Sequence, residues 1–181
     1  RLAEHLRLDL PEIEVEDFRR SGYLPEVLCN YLALLGWNPG GDVEKFDLAF
    51  MARSFDFDRI GKTNSKFDRE KLRAFNADAL RALTAEEFAR RWREWAGQYD
   101  ARVAALSDAV LAIAARAAQQ RAATFRDAGA QIGFAFVADG DVAYDAAAVD
   151  KVLKKGEPTG LSILGDLEPV LAGIPETGFT P

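Results

Sequence analysis

The sequence predicts an all-α fold, and three observations carry that expectation. Every strongly periodic segment spaces its apolar residues near a period of 3.6, the repeat of an amphipathic helix. Apolar residues stand directly before capping residues at Phe46-Asp47, Phe67-Asp68, Leu83-Thr84 and Tyr144-Asp145. Each has a hydrophobic partner one helical turn beyond the cap, in Met51, Leu72, Phe88 and Val149, which is the staple-and-cap signature of a helix start. The single alternating run, Ile132 to Val137, has no second strand to pair with and is read as helical or irregular.

Taken in order, residues 1–10 read as the end of an amphipathic helix with Leu2, Leu6 and Leu10 on one side, stopped by Pro11. Glu12 to Arg20, carrying Ile13, Val15 and Phe18, is a connector or short helix. The most clearly punctuated segment is 22–37, GYLPEVLCNYLALLGW. Pro25 suits a first helical turn and Gly36 the position past the last, so a helix is expected from about Pro25 to Leu35. Leu24, Val27, Leu28, Tyr31, Leu32 and Leu35 form its buried stripe. Tyr23 is expected to serve the helix entrance and Asn30 to bond a neighbouring loop.

Asn38-Pro39-Gly40-Gly41 is a loop, after which a helix capped by Asp47 runs to about Phe55. Arg59 to Ser65 is a second loop, and Asp68 caps the next helix. Thr84 and Glu87 predict a capping box for a helix burying Phe88, Trp92 and Trp95 or Ala96, and ended by Gly97. A longer helix from about Asp100 to Gln120 would put Val103, Leu106, Val110, Ile113 and Ala117 on one stripe. Asp145 caps another helix, with Lys151, Lys154 and Lys155 outward near its C-terminal end, where cations suit the dipole. Leu161 to Leu171 is a last helix, interrupted near Pro169.

Composition limits the chemistry. The 181 residues, 49% hydrophobic and 29% charged, are ordinary for a folded chain with a core. No apolar run approaches the roughly 20 residues of a membrane helix, and no signal-peptide pattern opens the chain. The single cysteine, Cys29, leaves no internal disulfide, and one histidine, His5, makes a zinc site unexpected. No nucleophile–histidine pair or metal cluster is visible, so no catalytic and no metal-binding residue is assigned. Gly61-Lys62-Thr63 resembles the tail of a phosphate-binding loop, but position 56 is Asp where that motif needs Gly, and no strand precedes it.

The net charge is −6, yet seven basic residues face three acidic ones between Arg59 and Arg81, and Arg90, Arg91 and Arg93 follow one helix later. Acids concentrate near the start, from Glu4 to Asp17. A solvated mixed-charge surface explains such a distribution as readily as a nucleic-acid partner does. A missing initiator Met, and a Thr180-Pro181 pair that reads as the cap and first position of a further helix, suggest a piece of a longer protein.

Two strings go beyond periodicity. Gly22-Tyr23-Leu24-Pro25-Glu26 followed by Asn30-Tyr31-Leu32-Ala33-Leu34-Leu35-Gly36-Trp37 closely resembles a signature of bacterial glutamyl-tRNA synthetases. Lys66-Phe67-Asp68, then Lys71-Leu72 and Asn76, is similar in order and spacing to a second stretch of the same enzymes. The resemblance covers residues 12–80 by motif and continues by helix order, and by Tyr144, Asp145 and Val149, to about residue 155.

It implies a helical stem-contact region over 1–83 and an incomplete helical anticodon-binding domain over 84–181, C-terminal to the catalytic domain. The implied parent is cytoplasmic and attaches glutamate to tRNA with ATP and magnesium. HIGH-type and KMSKS-type motifs are absent here, so this piece alone is expected to be inactive and to hold no cofactor. The implied partner is a glutamate-accepting tRNA, with no membrane and a monomeric chain. Lys62, Lys66, Lys71 and Arg73 are the candidates to line its stem, with Arg73 the first to be expected packing against its own helix instead. The competing expectation is a helical protein-interaction module without a nucleic-acid partner, on the acidic total charge and the aromatic helix around Trp92 and Trp95.

Overall fold

A computed structural model describes residues 11–61 and 65–175, Asp139 in its backbone alone. The helix expected at 1–10, Lys62 and the Thr180-Pro181 pair lie outside the described residues. The described residues carry helices and no named strand; their one β-bridge joins Trp37 and Ile60. They divide into two compact units, one ending at Gly133 and the other starting at Phe134.

In the first unit α1 spans Val15–Ser21, α2 Pro25–Gly36, α3 Leu48–Ser54, α4 Arg69–Ala82, α5 Ala85–Tyr99, α6 Ala101–Ala104, α7 Asp108–Gln119 and α8 Phe125–Gln131. Capping explains most starts. Asp47, Asp68, Thr84, Ser107 and Thr124 each accept a hydrogen bond from the backbone N–H three residues on. The Thr84–Glu87 box forms only in its first half, because the Glu87 carboxylate turns to Arg90 and Arg91.

The core comes from all of these helices except α3, which buries no residue. Tyr31 of α2 is buried and exchanges hydrogen bonds with the backbone of Asp68 at 2.7 and 2.8 Å, fixing the start of α4 against α2. Asn76 of α4 is fully buried, accepting from Leu24 N at 2.8 Å and donating to Ala123 O at 2.6 Å. Gln119 of α7 donates to the carbonyls of Leu80 and Leu83, satisfying groups that the end of α4 leaves open. Phe88, Trp92 and Ala96 fill the interior from α5, so Ala96 rather than Trp95 takes the fourth-turn core position. Gly22, at φ 84°, lets α1 end as its carbonyl accepts from Phe125 N at 3.1 Å.

The structure departs from the pattern at several points. Leu32 and, on the stretch before α2, Ile13 and Val15 are exposed, so the buried stripe of α2 is narrower than its apolar residues. Gly97 does not end α5, which runs on to Tyr99. The helix expected from Asp100 to Gln120 is broken at Ala105–Ser107, where Ser107 caps a fresh start. That restart rotates the register: Leu111, Ala114, Ala115 and Ala118 face inward, and Val110, Ile113 and Ala117 outward. Helix α8, with Thr124 as its cap, was not anticipated by the periodicity.

Gly133–Phe136, where the chain passes into the second unit, is a 3-10 turn, in line with a helical or irregular reading of the alternating run. Asp145 caps α9, Ala146–Ala148, which continues as a π-turn over Val149–Leu153, and α10 spans Gly160–Ala172. Pro169 sits inside α10 without interrupting it, giving up one backbone hydrogen bond. No described side chain of this unit is buried.

Candidate nucleic-acid interface

Of the basic residues singled out in the sequence, Lys66 lies on the stretch before α4 and Lys71 and Arg73 on its first two turns. Asp68 anchors that segment, its backbone held by Tyr31 and its carboxylate by Lys71 N at 3.0 Å. Lys66 is exposed and forms no hydrogen bond or ion pair among the described residues. It lines an open cleft with Glu12, Phe18, Phe67, Asp68, Arg69 and Glu70, in which two cations face three acids. Arg69 donates to Glu12 O at 2.5 Å and lies 5.5 Å from the Phe67 ring centroid.

Lys71 and Arg73 stand two residues apart on a helix, about 200° around its axis, and they serve opposite neighbours. Lys71 pairs with Glu44 at 2.5 Å and lies 5.5 Å from the Phe75 ring centroid. Lys45, which sequence reasoning passed over, shares that ring at 5.3 Å and pairs with Asp78 at 2.6 Å, holding the Asp78 carboxyl below its ordinary range together with Arg81. No local pattern marks Lys45, because only the packing of the 38–46 loop on α4 brings it to Phe75.

Arg73 turns the other way, to Asp127 of α8 at 2.8 Å. It also lies beside Tyr23, whose half-buried phenol is pushed above its ordinary pKa chiefly by desolvation. Lys66, Lys71 and Arg73 are therefore spread around α4 rather than gathered in one cluster. Asn30, by contrast, sits where a loop needs it, donating to Glu44 O and accepting from Phe46 N.

The second basic cluster is also engaged. Arg90 and Arg91 hold Glu87, whose carboxyl falls to about 2 under their hydrogen bonds, and Arg91 also reaches Glu26. Arg93 pairs with Asp108 at 3.0 Å and donates to Ala104 O. Exposed pairs of this kind contribute roughly 0–1 kcal/mol, so a phosphate oxygen can replace a carboxylate at modest cost. Among the described residues no group of three His, Cys, Asp or Glu side chains is placed to hold a metal ion.

Comparison with known proteins gives a consistent picture. A family model described as "tRNA synthetases class I (E and Q), catalytic domain" matches residues 9–74, and one described as "Anticodon binding domain" matches residues 87–179. A glutamate–tRNA ligase of Mycolicibacterium paratuberculosis is 35% identical over 164 residues, covering 91% of this chain and 32% of that protein. One of Rhodococcus jostii is 36% identical over 143 residues, covering 79% of this chain and 29% of that protein. The chain thus spans about a third, or less, of the length of these relatives. A solved glutamate tRNA ligase from Elizabethkingia meningosepticum, in complex with its amino acid, matches 87% of this chain and 30% of its own with a TM-score of 0.69 at 24% identity, a likeness of fold.

Proposed function

Because this chain belongs to the glutamate–tRNA ligase family, we propose that it is the tRNA-binding C-terminal region of an enzyme attaching glutamate to tRNA in an ATP-dependent reaction. The observation that carries this reading is the tandem order of the two family matches, which together run from residue 9 to residue 179. Residues 1–83 would be the stem-contact region and residues 84–181 the anticodon-binding region. In the structure the two share one core up to Gly133, since Asn76 and Gln119 tie α4 to the chain after Thr84.

ATP and magnesium belong in this reading to the longer protein. The phosphate-loop tail in this chain lacks its leading glycine. Monomeric, cytoplasmic residence is part of the same proposal, and no described helix is long and apolar enough to cross a membrane.

Lys62, Lys66, Lys71 and Arg73 are proposed to meet stem phosphates, which position a duplex without reading its sequence. Binding of tRNA should then weaken with salt, each neutralised phosphate adding about 0.7–0.9 to the log–log slope. Single alanine variants at the three lysines should each lower that slope by up to about one unit and leave discrimination between tRNAs unchanged. Binding by filter retention at several salt concentrations tests this. A quadruple alanine variant that folds and keeps the original affinity and slope refutes the assignment of these four residues, and an unmodified chain that binds no tRNA refutes the function.

A further inference from the structure

A different cleft carries cations without a directly bonded carboxylate among the described residues, although Arg20 is near enough to Asp17 to help lower its carboxyl. It encloses about 460 Å3 between the end of α1, the end of α5, residues 100–102 and α8, and is lined by Arg20, Trp95, Tyr99, Asp100, Arg102 and Arg126 among others. Arg102 is held by Asp100 through contacts of 3.0 and 2.8 Å, which engages the one acid among the lining residues. Arg20 and Arg126 form no hydrogen bond or ion pair among the described residues. On the surface around α4, Lys45, Lys71 and Arg73 all have carboxylate partners.

The aromatic wall of the cleft is held by hydrogen bonds to α1. Trp95 Nε1 donates to Arg19 O at 3.0 Å and Tyr99 OH donates to Glu16 at 2.8 Å, so both rings are fixed, with centroids 5.8 Å apart. Two guanidinium groups without a hydrogen-bonded carboxylate among the described residues, beside a hydrogen-bonded, half-exposed aromatic pair, match the two surfaces of a nucleotide unit. The forks suit phosphate oxygens, and the rings suit a ribose or base face.

We propose that this cleft receives a phosphodiester of bound RNA, gripped by Arg20 and Arg126, with the adjoining nucleoside against Tyr99 and Trp95. The proposal rests on the reading that the chain binds tRNA, and it adds a contact remote in sequence from the 62–73 segment.

The test compares tRNA binding across a salt series by the unmodified chain and by R20A/R126A, R20K/R126K and R53A variants. Arg53 is the control, an arginine of α3 that has no carboxylate partner among the described residues. R20A/R126A should bind at least about tenfold more weakly at low salt and lose one to two units of slope, R20K/R126K should keep the slope, and R53A should change neither. Trp emission of the unmodified chain should also change on saturation with tRNA. Unchanged binding by R20A/R126A, or an equal loss in R53A, overturns the cleft while leaving tRNA binding standing. Complete absence of tRNA binding by the unmodified chain overturns both. If R20A/R126A loses its helical dichroism, the Trp signal decides, and no change in emission overturns the proposal.

Discussion

Asn76 shows what a single side chain can hold. Its amide is fully buried and joins three segments, the N-cap of α2 at Leu24, α4 itself and the loop at Ala123. Replacing it with Ala strands one N–H and one C=O in the interior, each costing about 1–3 kcal/mol. Asn76→Ala should therefore lower stability by about 2–6 kcal/mol, read as a drop in the urea midpoint. Gly22 is the second such position. A Cβ there would come within 2.7 Å of Phe125 Cβ and N, at a φ of 84° that L-residues rarely adopt. Gly22→Ala should lower stability by more than about 2 kcal/mol, since backbone and not a flexible side chain blocks it. The sequence displays both residues inside the family-like strings, yet their partners at 123 and 125 lie outside those strings.

At the scale of an element, α5 separates local from tertiary signals. Its start follows from Leu83-Thr84, whereas its end does not follow from Gly97, which lies within the helix with open space at its Cβ position. Gly97→Ala should stabilise the protein by about 0.5–1 kcal/mol and raise the melting temperature. The same helix carries a pH dependence. Glu87 is held at about 2 by hydrogen bonds from Arg90 and Arg91, below an ordinary value of 4.5. A depressed folded-state pKa makes its contribution present above 4.5 and lost as pH falls toward 2. Glu87→Gln should flatten stability against pH in that window, measured by thermal melts at successive pH values. The break at Ser107 is legible afterwards as a Ser-Asp start, but an apolar repeat running through it masks the signal.

At the scale of the whole molecule, burial among the described residues is confined to the first unit. Every buried residue among them precedes Phe134, and the exposed apolar residues of α10 include Ile163, Leu164 and Val170. A domain needs apolar surface removed from water to offset chain entropy, and the second unit removes little within itself. A chain ending at Gly133 should keep a cooperative thermal transition and the helical dichroism of its own residues. A fragment starting at Phe134 should melt without a sigmoidal transition. A cooperative transition in the second fragment, or its loss in the first, contradicts this division.

All-helical character, the capped starts at Asp47, Asp68, Thr84 and Asp145, and the family-like strings were determined by the sequence alone, because caps and periodicity act over four or five residues. Tertiary structure decided which apolar faces are buried, why Val110 and Ile113 face outward, and which cations are neutralised. Those outcomes depend on groups far apart along the chain, such as Arg73 with Asp127, Lys45 with the Phe75 ring, and Arg20 with Arg126. Charge counted along a sequence cannot register them, because a cation's availability is set by the distance to its nearest carboxylate in space.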